Sequence, residues 1–217
     1  MIRGGMSQST LFDASTLDPT GPAAIIPIDR KQLSCGKCKL AHSRTNVVLA
    51  EGNTVEPLVM FVGEGPGAQE DATGRPFVGR AGQLLEKMIV AMGLTREAIY
   101  LANVVACRPP QNRQPEPEEI MACMPFLMGR VRAVRPKAIV ALGGTAAKTL
   151  IRTRKGVADL RGKWHTVGQE PDGIPVRVTY HPAFLLRPQG AQCKGAAWRD
   201  LQEVMEKVGL RTQASTP

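Results

Sequence analysis

What the chain lacks narrows it first. Its 217 residues hold no apolar run of the ~18 residues that a membrane-crossing helix needs. Met1 to Gly5 is not followed by the apolar core of a secretory signal, so a cytoplasmic protein without a membrane partner is expected. Cysteine is sparse and odd in number, five in all. In a reducing compartment an odd count argues against a disulfide framework and for a metal or cluster. Acidic residues are outnumbered, 19 Asp and Glu against 28 Lys and Arg, which leaves a formal charge of +9. That excess favours a polyanionic partner, nucleic acid ahead of an anionic membrane surface. No sequence repeat is present, and the length suits one α/β domain with a full core.

What is there centres on residues 61–82, FVGEGPGAQEDATGRPFVGRAG. The run Leu58 to Val62 is short, apolar and β-rich, and it breaks off in Gly63-Glu64-Gly65-Pro66-Gly67 as a buried parallel strand does at its carboxyl end. Ligands of open α/β sheets bind at that end. The loop lacks the Lys-Ser/Thr of a P-loop, and Ala68 stands where the third glycine of a dinucleotide fingerprint would fall. A phosphate cradle is therefore the weaker reading, and Glu64, with no adjacent Lys or Arg, becomes a candidate for chemistry. Phe77, in the Arg75-Pro76-Phe77-Val78-Gly79 loop, is either core or a stacking platform for a planar ring.

The same alternation continues along the chain. Leu84, Leu85, Met88, Ile89 and Met92 share one helical face over 81–92, and strand 99–105 leads to a helix over 117–134 opened by Pro-Glu-Pro-Glu-Glu. Strand 138–142 leads to a helix over 145–151, and strand 176–180 to a last helix over 195–208. Four βα units predict an α/β fold with a mainly parallel four-stranded sheet covered on both faces. Glu64, Asn103 and His181 each fall at the carboxyl end of a different predicted strand, so one sheet edge brings them to one pocket. Behind His181 comes the wedge-like Phe184-Leu185-Leu186-Arg187, and the basic segment 152–163 suits phosphate contacts better than a mere solvated face.

The domain is expected over 31–210, between a disordered arm, 1–30, and a tail, 211–217. In the arm, Gln8-Ser9-Thr10-Leu11-Phe12 resembles the Gln-x-x-Leu-Phe peptides that dock bacterial replication and repair proteins on the sliding clamp; a chance pentapeptide is the alternative. Cys35-Gly36-Lys37-Cys38, joined by Cys107 and Cys123 with fifteen residues between them, gives four thiolates. Zinc or a 4Fe–4S cluster would suit them, the alternative being that Cys107 and Cys123 are ordinary core residues. Cys193 falls outside the pattern.

The combination GEGPG…GRPFVGRAGQLL, NVVACRPPQNRQPEPEE and HPAFLLR, with cysteines in this spacing, closely resembles the family-4 uracil-DNA glycosylases. The resemblance covers roughly residues 33–210. It implies a three-layer αβα sandwich, a 4Fe–4S cluster on Cys35, Cys38, Cys107 and Cys123, and a monomer that removes uracil from DNA. Position by position it implies that Glu64 orients or activates water, Phe77 stacks on the flipped uracil and Asn103 reads its edge. It further implies that His181 donates to the 2-oxo oxygen, that backbone around Gly65 completes the pocket and that Glu70 crowds the 5-position against thymine. Phe184, Leu185, Leu186 and Arg187 match the segment that enters the duplex. A self-trapping relative carries Gln after the motif acid and a histidine before the third cysteine. This chain has Gly65 and no histidine between Asn103 and Cys123, so turnover is expected. A non-catalytic DNA binder and a nucleotide hydrolase are the rival classes.

Overall fold

Alternate side chains of the longer strands face opposite layers. In the computed structural model, which describes residues 27–168 and 173–210, one mixed sheet contains Glu51–Gly52 (β1), Val59–Gly63 (β2), Tyr100–Asn103 (β3), Ala138–Leu142 (β4), Trp164–Val167 (β5) and Ile174–Thr179 (β6). The α-helices among these residues are Pro27–Leu33 (α1), Ala68–Thr73 (α2), Arg80–Ala91 (α3), Pro117–Val134 (α4), Gly143–Ile151 (α5), Val157–Leu160 (α6), Pro182–Leu185 (α7) and Lys194–Lys207 (α8). None is long and apolar enough to cross a membrane.

The strand order is β1-β3-β2-β4-β6-β5. Parallel pairing joins β3, β2, β4 and β6, while β1 and β5 add antiparallel edges. The sheet thus has six strands where four were expected. β1 spans two residues, too short to show alternation. β5 reaches β6 through a link too short for a crossover helix, so a count of βα units passes over it.

Met60, Val62, Ile139, Ala141, Val176 and Val178 face one side and pack with Leu127 and Val131 of α4 and Ala146 and Leu150 of α5. Val59, Phe61, Leu101 and Val140 face the other and pack with Leu85 and Ile89 of α3 and Leu201 and Val204 of α8. Helices therefore cover both faces. α4 starts where Pro117 needs no amide partner and where the fully buried Glu119 accepts from the Glu116 amide at 2.7 Å. α1 begins at Pro27, inside the stretch expected as an arm. Arg130 of α4 holds it, donating to Asp29 Oδ1 at 2.7 Å and to Gln32 Oε1. The clamp-like Gln8, Leu11 and Phe12 lie outside the described residues.

One consequence of this order positions the site. From β2 the chain crosses through α3 to β3 on one side; from β4 it crosses through α5 to β6 on the other. Where neighbouring strands send their connections apart, a crevice opens at their carboxyl ends.

Candidate active site

A cavity of about 660 Å³ occupies that crevice, lined by Glu64 and Gly65 after β2, Asn103 of β3, Gly143 after β4, His181 after β6, and Phe77 and Glu70. The parallel ladder continues into these loops: the Val104 amide donates to Gly63 O at 2.9 Å and the Val105 amide to Glu64 O at 3.1 Å. Glycine at 63 is required by close approach. A Cβ there would stand 2.5 Å from Asn103 Oδ1 and 2.7 Å from Phe77 Cζ, so the amide and the ring meet over bare backbone. Across the crevice the Thr145 hydroxyl, on the first turn of α5, donates to Glu64 Oε2.

Phe77 is only 7% exposed and sits at φ 54°, a left-handed conformation that costs a bulky residue on the order of 1–3 kcal/mol. Glu70 helps to hold it there. As the third residue of α2, Glu70 accepts the Gly67 amide at 3.1 Å on one carboxylate oxygen. The other oxygen takes the amides of Val78 and Gly79 at 3.0 and 2.8 Å. Both oxygens are therefore committed to backbone, and the carboxylate forms a fixed wall of the cavity.

His181 caps α7, its Nδ1 accepting from the Ala183 amide at 3.1 Å. That bond leaves Nε2 as the proton-bearing nitrogen of the neutral ring. Burial, with Arg187 acting in the same direction and Glu70 against it, lowers the ring's pKa to about 4. The imidazole is thus a neutral hydrogen-bond donor at physiological pH.

The expected wedge divides. Phe184 and Arg187 line the cavity, and Phe184 stacks on Tyr180 with ring centroids 5.4 Å apart. Leu186 is 41% exposed, but Leu185 is 3% exposed and packs inward. The single turn of α7 turns one of two adjacent leucines to the core, which an apolar run in sequence does not distinguish. From the basic segment, Arg161 lies over the Tyr180 ring, 4.5 Å from its centroid, and donates to Asp200 at 2.7 Å. Arg152, Arg154, Lys155 and Lys163 are exposed, and Val157 between them reaches the cavity.

The four cysteines gather away from the cavity. Cys107 and Cys123, the latter on α4, sit in the core cluster with Cys38 packed against it, and Cys107 and Cys123 each lie within electrostatic reach of Cys35 and Cys38. Burial pushes the Cys123 thiol up to about 11 and raises Cys107 as well, although Arg44 donates to Cys107 Sγ at 3.2 Å. Among the described residues, no group of three or more His, Cys, Asp or Glu is arranged to hold a metal ion.

Sequence motifs single out neither Tyr180, which lines the cavity together with Asn112, Arg113 and Gln114, nor Thr145, which meets the site through its bond to Glu64. Thr145 follows two glycines at a helix start, a pattern that reads as capping. Tyr180 carries no signal beyond its place directly before His181.

The family model "Uracil DNA glycosylase superfamily" matches residues 49–202. A "Type-4 uracil-DNA glycosylase" of Thermotoga maritima is 42% identical over 180 residues, covering 81% of this chain and 90% of that protein. One of the same name from Archaeoglobus fulgidus is 42% identical over 167 residues, 75% of this chain and 83% of that protein. A "Type-5 uracil-DNA glycosylase" of Pyrobaculum aerophilum is 34% identical over 142 residues, 58% of this chain and 62% of that protein.

Proposed function

The chain belongs to the uracil DNA glycosylase superfamily, and from that premise we propose that it takes a uracil flipped out of DNA into the cavity and hydrolyses its N-glycosidic bond. One observation carries this: Glu64, Phe77, Asn103 and His181, widely separated along the chain, line one cavity at the point where the strand connections part. As the bond between C1′ and the base nitrogen breaks, its electron pair leaves with uracil and positive charge develops on the sugar. Neutral His181 donates through Nε2 to the 2-oxo oxygen, where the departing charge collects. Glu64, its other oxygen tied by Thr145, faces the sugar cation and takes the proton of the attacking water. The products are an abasic sugar and the uracil anion, which takes up a proton on release while Glu64 returns its proton to solvent.

Asn103 reads the pyrimidine edge because an amide both donates and accepts, and cytosine reverses that pattern at its 4-position. Phe77 stacks beneath the ring, backbone around Gly65 closes the pocket, and Glu70 walls the 5-position against a methyl group. The exposed Leu186, with Phe184 and Arg187, fills the gap left by the extruded base and offsets a few kcal/mol of unstacking. The exposed cations around Val157 contact phosphates.

Cys35, Cys38, Cys107 and Cys123 would hold a 4Fe–4S cluster. The donor set fits: four thiols within electrostatic reach of one another, two of them buried, with Arg44 beside one. Iron, when bound, would supply the positive charge that buried thiolates otherwise lack. Such a cluster would brace the fold. The protein works as a cytoplasmic monomer, with Gln8, Leu11 and Phe12 offering a contact to the sliding clamp. The test is base release from an oligonucleotide holding one uracil, beside the same oligonucleotide with thymine or cytosine. Release of free uracil alone is expected; DNA binding without release would mark a mere binder.

A further inference from the structure

Phe77 stands where an aromatic residue is conformationally disfavoured, so something must hold its peptide in place. The amide side is gripped by Glu70, which accepts from Val78 and Gly79. The carbonyl side is gripped by Arg96, a residue outside the cavity lining, whose guanidinium donates to Pro76 O and, at 3.4 Å, to Phe77 O. Arg96 is itself fixed by Glu51 on the edge strand β1, its Nε donating to Glu51 Oε1 at 2.8 Å. Side-chain exposures of 16% and 18% keep this pair largely out of water. Burial alone would raise the Glu51 carboxyl, yet hydrogen bonds from Arg75 and Arg96 hold it below the usual carboxylate range. α3 presses on the same peptide, since a Cβ at Gly82 would fall 1.9 Å from Phe77 O.

We propose that Arg96 and Glu51 are positioning residues for base capture, forming with Glu70 a two-sided clamp that sets the Phe77 ring against Gly63 and Asn103. A cation draws the carbonyls of 76 and 77 one way while an anion draws the amides of 78 and 79 the other. The peptide is pinned in the orientation that lays the ring along the cavity, and charge-assisted bonds supply the holding force. The edge strand thereby gains a part in function, because β1 anchors the carboxylate from which the clamp hangs. The inference rests on the proposed stacking of uracil on Phe77.

A double-mutant cycle tests it, with inhibition by free uracil as the readout. Arg96→Ala and Glu51→Gln are each expected to weaken inhibition about tenfold, the scale of a lost base–aromatic stack. Affinity for an oligonucleotide carrying an abasic-site analogue should hold within about twofold, because those contacts lie elsewhere. In a Phe77→Ala background, Arg96→Ala should add less than about twofold, since it acts through the ring. Arg96→Lys keeps the charge but not the planar fork; it should lose inhibition similarly and serves if the alanine variant does not fold. Unchanged inhibition in the Arg96 variants, or a full additional loss in the Phe77→Ala background, overturns the clamp. Native-like inhibition in Phe77→Ala alone overturns the stacking itself, so the two failures are distinguishable.

Discussion

A single methyl group at Gly63 should disable the site while leaving most of the fold in place. Gly63→Ala puts a carbon 2.5 Å from Asn103 Oδ1 and 2.7 Å from Phe77 Cζ, roughly an ångström inside the distance at which non-bonded atoms settle. The backbone cannot retreat, because β2 is fully buried and paired on both sides with β3 and β4. The amide and the ring must yield instead. Overpacking of this kind costs about 1–3 kcal/mol, and for a domain of this size each kcal/mol moves Tm by ~2–4 °C, so a fall of roughly 2–12 °C is expected. The effect on rate is larger. Displacing a positioning group by about an ångström costs on the order of 100-fold, here applied to the two groups proposed to hold the base. Single-turnover release of uracil from a one-uracil oligonucleotide, run beside thermal unfolding, measures both. Release within threefold of the native rate would show that the amide and the ring do not hold the base as described.

Other expectations follow from single contacts. Thr145→Val should lower kcat about tenfold with KM unchanged, and Thr145→Ser should restore it, because a hydrogen bond to a charged group is worth ~1.5–3 kcal/mol and serine keeps the donor; equal losses in both would remove the hydroxyl's role. Asn103→Ala should sharply reduce uracil release without loss of folding, and native-like release would end its assignment as the reader of the base edge. The His181 ring, held down to about 4, should stay neutral through pH 5–8. Its folded pKa lies below the usual 6.5, so the unfolded chain takes up the proton first. Stability from this group is therefore complete above about 6.5 and lost as pH falls toward about 4. Nitrogen NMR of the imidazole should show a midpoint near 4, and a doubly protonated ring at pH 6 would refute the neutral ring with an accepting Nδ1. Cys107→Ser should bleach the brown absorbance of a 4Fe–4S protein and lower Tm, and an unchanged iron content would count against that cysteine as a ligand.

Much of the frame was legible because it rests on local pattern. Strand 138–142 and the helix over 117–134 stand within the bounds read from a short apolar run that ends in two glycines and from the Pro-Glu start. Glu64, Asn103 and His181 were placed together because parallel strands share one carboxyl edge. What escaped depends on partners far along the chain or on elements too short to have a period. α1 reads as polar tail until Arg130, about a hundred residues away, takes hold of Asp29. β1 consists of two residues, and the inward turn of Leu185 is decided within four. Glu70 could be named from its motif, but its commitment to three backbone amides appears only when two loops are brought side by side.

The bonds that carry the parallel ladder beyond β2 and β3, from Val104 to Gly63 and from Val105 to Glu64, set the thermodynamic character of recognition. These loops lost their conformational freedom when the domain folded, so little remains to be lost when a base arrives. The cost of ordering falls on the DNA, whose backbone must swing out and whose stack must open. Discrimination then resides in a rigid receptor, and a lesion that already leaves its pair weakened enters at a discount that this protein need not supply.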